Sequence, residues 1–185
     1  MPPPLARPGA AAKAGKVRIL LLDVDGVLSD GGITYDGEGR ESKRFHVRDG
    51  HGIKMIQRAG IEVGIISGRS AEAVSVRAEE LGISLVRQGA FDKVAVWREI
   101  LEERGISPGE TAYVGDDIVD LQLLRQVGFA AAVADAEEYV RSAADYVSSR
   151  PGGQGAVREI VEFILRSGGL WEQVAGKYFR DGISG

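Results

Sequence analysis

Short, almost wholly apolar runs alternate along this chain with longer segments in which apolar residues recur every three or four positions. Val17 to Leu22 is apolar apart from Arg18, Ile61 to Ile66 is a second such run, and Thr111 to Gly115 is a third. Phe129 to Val133 and Tyr146–Val147 are weaker runs of the same kind. Brief runs without polar alternation predict strands covered on both faces, as in a parallel sheet. Between them, Ile53, Ile56 and Gln57 sit at helical spacing, as do Val94, Trp97, Ile100 and Leu101. Gly60, Gly82 and Gly105 follow helical segments, where C-terminal glycine caps belong, and Ser70 and Asp92 stand where N-caps belong. Repeated strand–helix alternation implies right-handed crossovers, and so a three-layer, doubly wound parallel α/β sheet.

The alternation breaks once. Gly31 to Asp36, then Gly37-Glu38-Gly39, then Arg40 to His46 reads as a β-hairpin turning at the Asp-Gly, inserted directly after the first strand. No internal repeat or second core is visible. The expected organisation is one domain over 16–168 with its hairpin at about 31–46. Residues 1–15 are rich in Pro, Ala and Gly and predict a disordered extension. Residues 169–185 follow Gly168-Gly169 as a tail.

Composition narrows the class. Of 185 residues, 44% are apolar and 27% charged, ordinary for a globular domain of this length. A net charge of −4 argues against a nucleic-acid partner, which asks for a basic face. The apolar runs fall far short of the roughly 20 residues that span a bilayer, so no membrane partner is expected. The N-terminus lacks the apolar core of a signal peptide, and a cytoplasmic location is the simple expectation. With no cysteine and only His46 and His51, thiolate nucleophiles and His/Cys metal clusters are excluded.

In an open α/β sheet, ligands bind at the carboxyl ends of the strands near the switch point. Asp23 and Asp25 occupy that end of the first strand, Ser67-Gly68-Arg69 ends the second, and Gly115-Asp116-Asp117-Ile-Val-Asp120 ends the third. Lys93 opens the helix between the last two. A lone Asp after a buried strand is commonly a helix cap, Ser67-Gly68 alone is a plain turn, and Lys93 alone a solvated residue. An Asp-x-Asp-Gly matched by a Gly-Asp-Asp-x-x-Asp points instead to a metal site. Carboxylates that close repel one another, and a hard divalent cation with oxygen ligands relieves this, which suits Mg²⁺.

The set Asp23-Val-Asp25-Gly26, Ser67-Gly68-Arg69, Lys93 and Gly115-Asp116-Asp117-x-x-Asp120 resembles the haloacid dehalogenase (HAD) superfamily. More narrowly, Asp23 to Gly31, the hairpin, Phe45 to Gly50 and Gly152 to Glu159 are similar to its phosphatases of 3-deoxy-D-manno-octulosonate 8-phosphate (KDO 8-phosphate). That resemblance, over about 17–165, implies a HAD-like, Rossmannoid fold and a Mg²⁺-dependent phosphatase serving lipopolysaccharide precursor biosynthesis. It implies Asp23 as nucleophile, Asp25 as acid–base, and Ser67, the Gly68 N–H and Lys93 as phosphate ligands. Asp23, Asp25 (through its main-chain carbonyl) and Asp116 would hold the metal, with Asp117 and Asp120 orienting Lys93 or waters.

The same resemblance maps substrate contacts onto Asp25, His46, Val47, Arg48, Asp49, Gly50, Lys54, Gly68, Arg69, Arg77, Lys93 and Asp117. The substrate would be a small phosphorylated keto-acid sugar, whose carboxylate asks for cations beyond the phosphate site. Members lack a large cap and are homotetramers in which neighbours close each site. Two departures stand out: Gln154 replaces a frequent Arg, and His46 a frequent Asn. The alternative substrate is an N-acylneuraminate 9-phosphate, and a lesser alternative is a non-catalytic oligomerisation homologue.

Overall fold

Leu20, Leu21 and Leu22 have no solvent exposure, because their strand is the middle of a sheet with helices on both faces. The computed structural model describes residues 3–179. Its strands are β1 (Leu5–Ala6), β2 (Ile19–Leu22), β3 (Thr34–Tyr35), β4 (Glu41–Ser42), β5 (Glu62–Ile66), β6 (Leu85–Arg87), β7 (Thr111–Gly115), β8 (Phe129–Ala132) and β9 (Tyr146–Val147). The helices are α1 (Ala10–Ala14), α2 (Val47–Arg58), α3 (Glu72–Leu81), α4 (Lys93–Arg104), α5 (Leu121–Leu124), α6 (Glu138–Ala143), α7 (Ala156–Ser167) and α8 (Trp171–Ala175).

Seven strands form one sheet in the order β1-β9-β8-β7-β2-β5-β6, parallel except for β1 at the edge. Strand order reverses around β2, which makes its carboxyl end the switch point. Leu22 pairs with Ile65 of β5 and with Val114 of β7, so the three strands end level. Helices α1, α7, α2 and α3 pack one on the next as one outer layer, and α4, α5 and α6 as the other. Asp92 caps α4 by accepting the Ala95 N–H at 2.9 Å. Ser70 does not cap α3, whose N-cap is Ala71 without a side-chain bond.

The excursion after β2 is the antiparallel pair β3–β4, with Thr34 opposite Ser42. Asp36 ties its turn, accepting the N–H groups of Glu38 and Arg40 at 2.9 Å each. Strand β6 was not expected, since three residues ending in Arg87 give too short an apolar run to stand out.

The expected disorder of 1–15 does not hold for its described residues. Leu5 and Ala6 add an antiparallel strand to β9, opposite Val147 and Tyr146, and α1 packs against α7. Ala10 and Ala14, one turn apart and each 1% exposed, let that short helix approach closely. Lys13 Nζ meets Asp145 Oδ1 at 2.6 Å. Alanine-rich composition hid a helix that tertiary contact stabilises. At the other end, α8 packs on α2 and α7, with Arg166 stacked 3.9 Å over the Trp171 ring. The remainder of the expected tail, 180–185, lies outside the described residues. No helix among the described residues is long and apolar enough to cross a membrane.

Candidate active site

The level ends of β2, β5 and β7 bring Asp23, Ser67 and Asp116 together, and the first turn of α4 adds Lys93. Asp23 is 6% exposed, Ser67 2% and Lys93 4%. All four line a cavity of about 420 Å³ together with Asp25, Gly68, Arg69 and Asp117. Phe91 and Val119 form its apolar rim.

Lys93 is the electrostatic hub. Its Nζ lies 3.0 Å from Asp23 Oδ2, 2.6 Å from Asp120 Oδ1 and 3.0 Å from Tyr113 Oη. Burial works against its charge, and the two carboxylates outweigh burial, so its pKa is raised. Asp120 has both oxygens committed. Oδ1 also accepts the Tyr113 hydroxyl at 2.5 Å, while Oδ2 accepts the Asp116 and Asp117 N–H groups at 3.0 and 3.3 Å. Tyr113, wholly buried in β7, carries no polar signature in an apolar run, and sequence reasoning missed it.

Asp23 and Asp116 are under strain. Burial, then the charge of Asp120, pushes Asp23 up to about 6, with Lys93 opposing. Burial, then the charges of Asp23, Asp120 and Asp117, pushes Asp116 up to about 8. Carboxylate oxygens of Asp23, Asp116 and Asp120 lie within 4.8 Å of one another. An all-oxygen, over-negative donor set of this kind fits a hard cation such as Mg²⁺. With Asp120 spent on Lys93 and main-chain N–H groups, Asp23 and Asp116 are the carboxylates left to hold it. Gly26 makes the geometry possible: its φ is +83°, and a Cβ there would fall 1.9 Å from Asp116 Oδ2.

Asp25 points the other way, toward the hairpin. Lys43 Nζ bonds Asp25 Oδ1, and Arg69 Nε stands 3.6 Å from Oδ2. Glu41 bridges the two cations, 2.7 Å from Lys43 Nζ through Oε1 and 2.7 Å from Arg69 Nη2 through Oε2. Burial disfavours the Lys43 charge, but Asp25 and Glu41 leave its pKa raised. Neither Glu41 nor Lys43 stood out in the sequence. Their only signal was two-residue spacing on one side of a strand, each a residue type common on solvated surfaces.

The remaining predicted substrate positions, Asp117 excepted, lie outside this cavity in the single chain. Asp49, 1% exposed, accepts the Gly155 N–H at 3.1 Å and the Arg158 N–H at 2.7 Å. It therefore ties α2 to the start of α7 in the single chain. Lys54 lines a groove with Gln57, Gly60 and Gly82 near the amino ends of β5 and β6, opposite the cavity of its own chain. Arg48 faces a different cavity, of about 360 Å³, with Arg150 and Arg158. Arg77 pairs with Glu80 at 3.0 Å, lies against Gly50 and sits 5.8 Å over the Phe45 ring. Val47 is 82% exposed, and His46 Nδ1 is buried without a hydrogen-bond partner among the described residues, 3.9 Å from Asp49 Oδ2. Asp117, which does line the cavity, accepts the Ile118 N–H at 2.6 Å and the Tyr139 hydroxyl at 3.1 Å.

Known proteins resemble this chain in sequence and fold. Residues 85–160 match the family of haloacid dehalogenase-like hydrolases. The chain is 45% identical over 166 residues to 3-deoxy-D-manno-octulosonate 8-phosphate phosphatase KdsC of Escherichia coli K12, covering 90% of this chain and 88% of that protein. Among solved structures, the phosphatase of that name from Moraxella catarrhalis, in complex with magnesium, phosphate and KDO, superposes with a TM-score of 0.89 at 40% identity, covering 91% of this chain and 97% of its own. The Yersinia pestis phosphatase superposes with a TM-score of 0.87 at 41% identity, covering 89% of each chain.

Proposed function

We propose that this chain, which belongs to the 3-deoxy-D-manno-octulosonate 8-phosphate phosphatases of the haloacid dehalogenase-like hydrolases, hydrolyses KDO 8-phosphate to KDO and phosphate. The carrying observation is the convergence of Asp23, Asp25, Ser67, Lys93 and Asp116 on one cavity in a chain so close to those phosphatases.

An Asp23 oxygen attacks phosphorus in line, its new O–P bond forming as the bond to the sugar oxygen breaks. The Asp25 carboxyl passes its proton to the departing sugar oxygen. Water then attacks the aspartyl-phosphate, gives a proton back to Asp25, and releases phosphate with Asp23 regenerated. The Ser67 hydroxyl, the Gly68 N–H and the Lys93 ammonium bond the phosphoryl oxygens as charge gathers on them. Lys93 is preset for this by Asp120 and Tyr113, which immobilise it before substrate arrives. Asp23, Asp116 and the Asp25 main-chain carbonyl would hold Mg²⁺, which when bound supplies the positive charge that lets a carboxylate approach a phosphate dianion.

Arg69, beside the phosphate loop, is the cation placed to meet the sugar carboxylate, in exchange for Glu41. Arg48 and Arg77 would serve a site only across a subunit boundary, in the homotetramer we assign to this protein. The exposed Ile33, Tyr35 and Val47, on and just after the hairpin, support such an assembly face. We assign it a cytoplasmic place in lipopolysaccharide precursor synthesis.

Phosphate release from KDO 8-phosphate and from N-acylneuraminate 9-phosphate, with Mg²⁺, tests the assignment. Preferred turnover of the eight-carbon ester is expected. Equal or greater turnover of the nine-carbon ester transfers the assignment to nonulosonates, and no turnover of either overturns it.

A further inference from the structure

We propose that Lys43, delivered by the hairpin, is a positioning residue for Asp25 and so for the proton transfer to the leaving group. The proposal rests on the hydrolase reading above. Asp25 follows β2 and Lys43 follows β4, yet the Lys43 ammonium bonds Asp25 Oδ1 with its side chain only 1% exposed. Surface lysines are seldom sequestered in this way, because the ammonium loses its hydration. Glu41 offsets that loss from the other side at 2.7 Å and anchors itself to Arg69.

The consequence is a division of labour between the two oxygens of Asp25. Oδ1 is taken by Lys43. Oδ2 stands 3.6 Å from Arg69 Nε, beyond hydrogen-bond range, and is the oxygen available to carry the proton. Without Lys43 the carboxyl keeps only the looser contact with Arg69 at 3.6 Å, and a proton donor off line by an ångström loses much of its effect. The hairpin thereby enters the chemistry: it fixes the acid–base group that β2 alone leaves loose.

The alternative is that Lys43 only closes the hairpin onto the sheet. Lys43→Met and Lys43→Arg distinguish the two, with kcat/KM measured on KDO 8-phosphate and on 4-nitrophenyl phosphate. The nitrophenolate departs without protonation, so its kcat/KM, which reports the steps through leaving-group departure, does not need a placed acid. Lys43→Met is expected to lower kcat/KM for the sugar ester about thirtyfold, within the range general acid catalysis supplies. The aryl ester should fall by less than about threefold, inhibition by free KDO should hold, and Lys43→Arg should recover most of the sugar-ester rate. Equal falls on both esters, a fall that tracks lost KDO inhibition, or no fall at all would overturn the proposal. Absence of turnover in the unaltered enzyme would instead overturn the hydrolase reading.

Discussion

Lys93 Nζ and Asp120 Oδ1 form a 2.6 Å ion pair from which solvent is almost wholly excluded. Such a pair contributes little net stability when intact but is costly to break, because one buried charge is stranded. Here it also aims the ammonium at Asp23. Asp120→Asn should therefore lower kcat by about a hundredfold, comparable to losing one oriented oxyanion donor. Thermal unfolding should show a loss below about 3 kcal/mol, the usual cost of breaking a buried pair, because Lys93 keeps its ion pair with Asp23 at 3.0 Å.

Asp23→Asn removes the nucleophile and one of the mutually repelling carboxylates. Single-turnover phosphate release should disappear. In the presence of chelator at pH 8, the variant should melt above the unaltered protein, because the charge that burial and Asp120 disfavour is gone.

The raised pKa values fix the sign of the pH dependence. Asp23 at about 6 and Asp116 at about 8 bind protons more tightly in the folded state than at the ordinary value of 3.8. Between those limits the folded state holds the more protons, so stability falls as pH rises. With chelator, the melting temperature should decline from pH 5 to pH 8. Added Mg²⁺ should restore it, and by more at pH 8 than at pH 5, since a cation needs both carboxylates ionised.

Asp49 and Lys54 separate structural from substrate roles. Asp49→Ala strands the Gly155 and Arg158 N–H groups and should cost about 2 kcal/mol. It should leave KM for KDO 8-phosphate within about twofold, as for a group that ties helices rather than substrate. Lys54→Met should change neither quantity. A KM rise above tenfold in either variant would restore that residue to the site.

The loop before α7 is pinned by contact. A Cβ on Gly152 would fall 1.7 Å from the Gly26 carbonyl oxygen, on the same turn that accommodates Asp116. Gly152→Ala should therefore displace that turn, and weaken Mg²⁺-dependent stabilisation as well as overall stability, by about 3 kcal/mol or more in the latter. Chemical denaturation with and without Mg²⁺ measures both.

Local patterning by itself marked the sheet's parallel strands other than β6, helices between them, and the element ends that carry Asp23, Asp25, Ser67, Lys93 and Asp116. It could do so because each lies within three residues of an element end, and element ends are written in short-range periodicity. The switch-point geometry then carries those ends to one place with no further information. Tertiary structure alone decided what those residues touch. Lys43 reaches Asp25 across 18 positions, Asp49 reaches Gly155 across 106, and Leu5 finds Val147 in the far edge strand. It also decided that Lys54, two turns along α2, descends to the amino ends of β5 and β6. Such pairings depend on how far each helix runs and on which neighbour buries it, and no repeat of 2 or 3.6 residues encodes either.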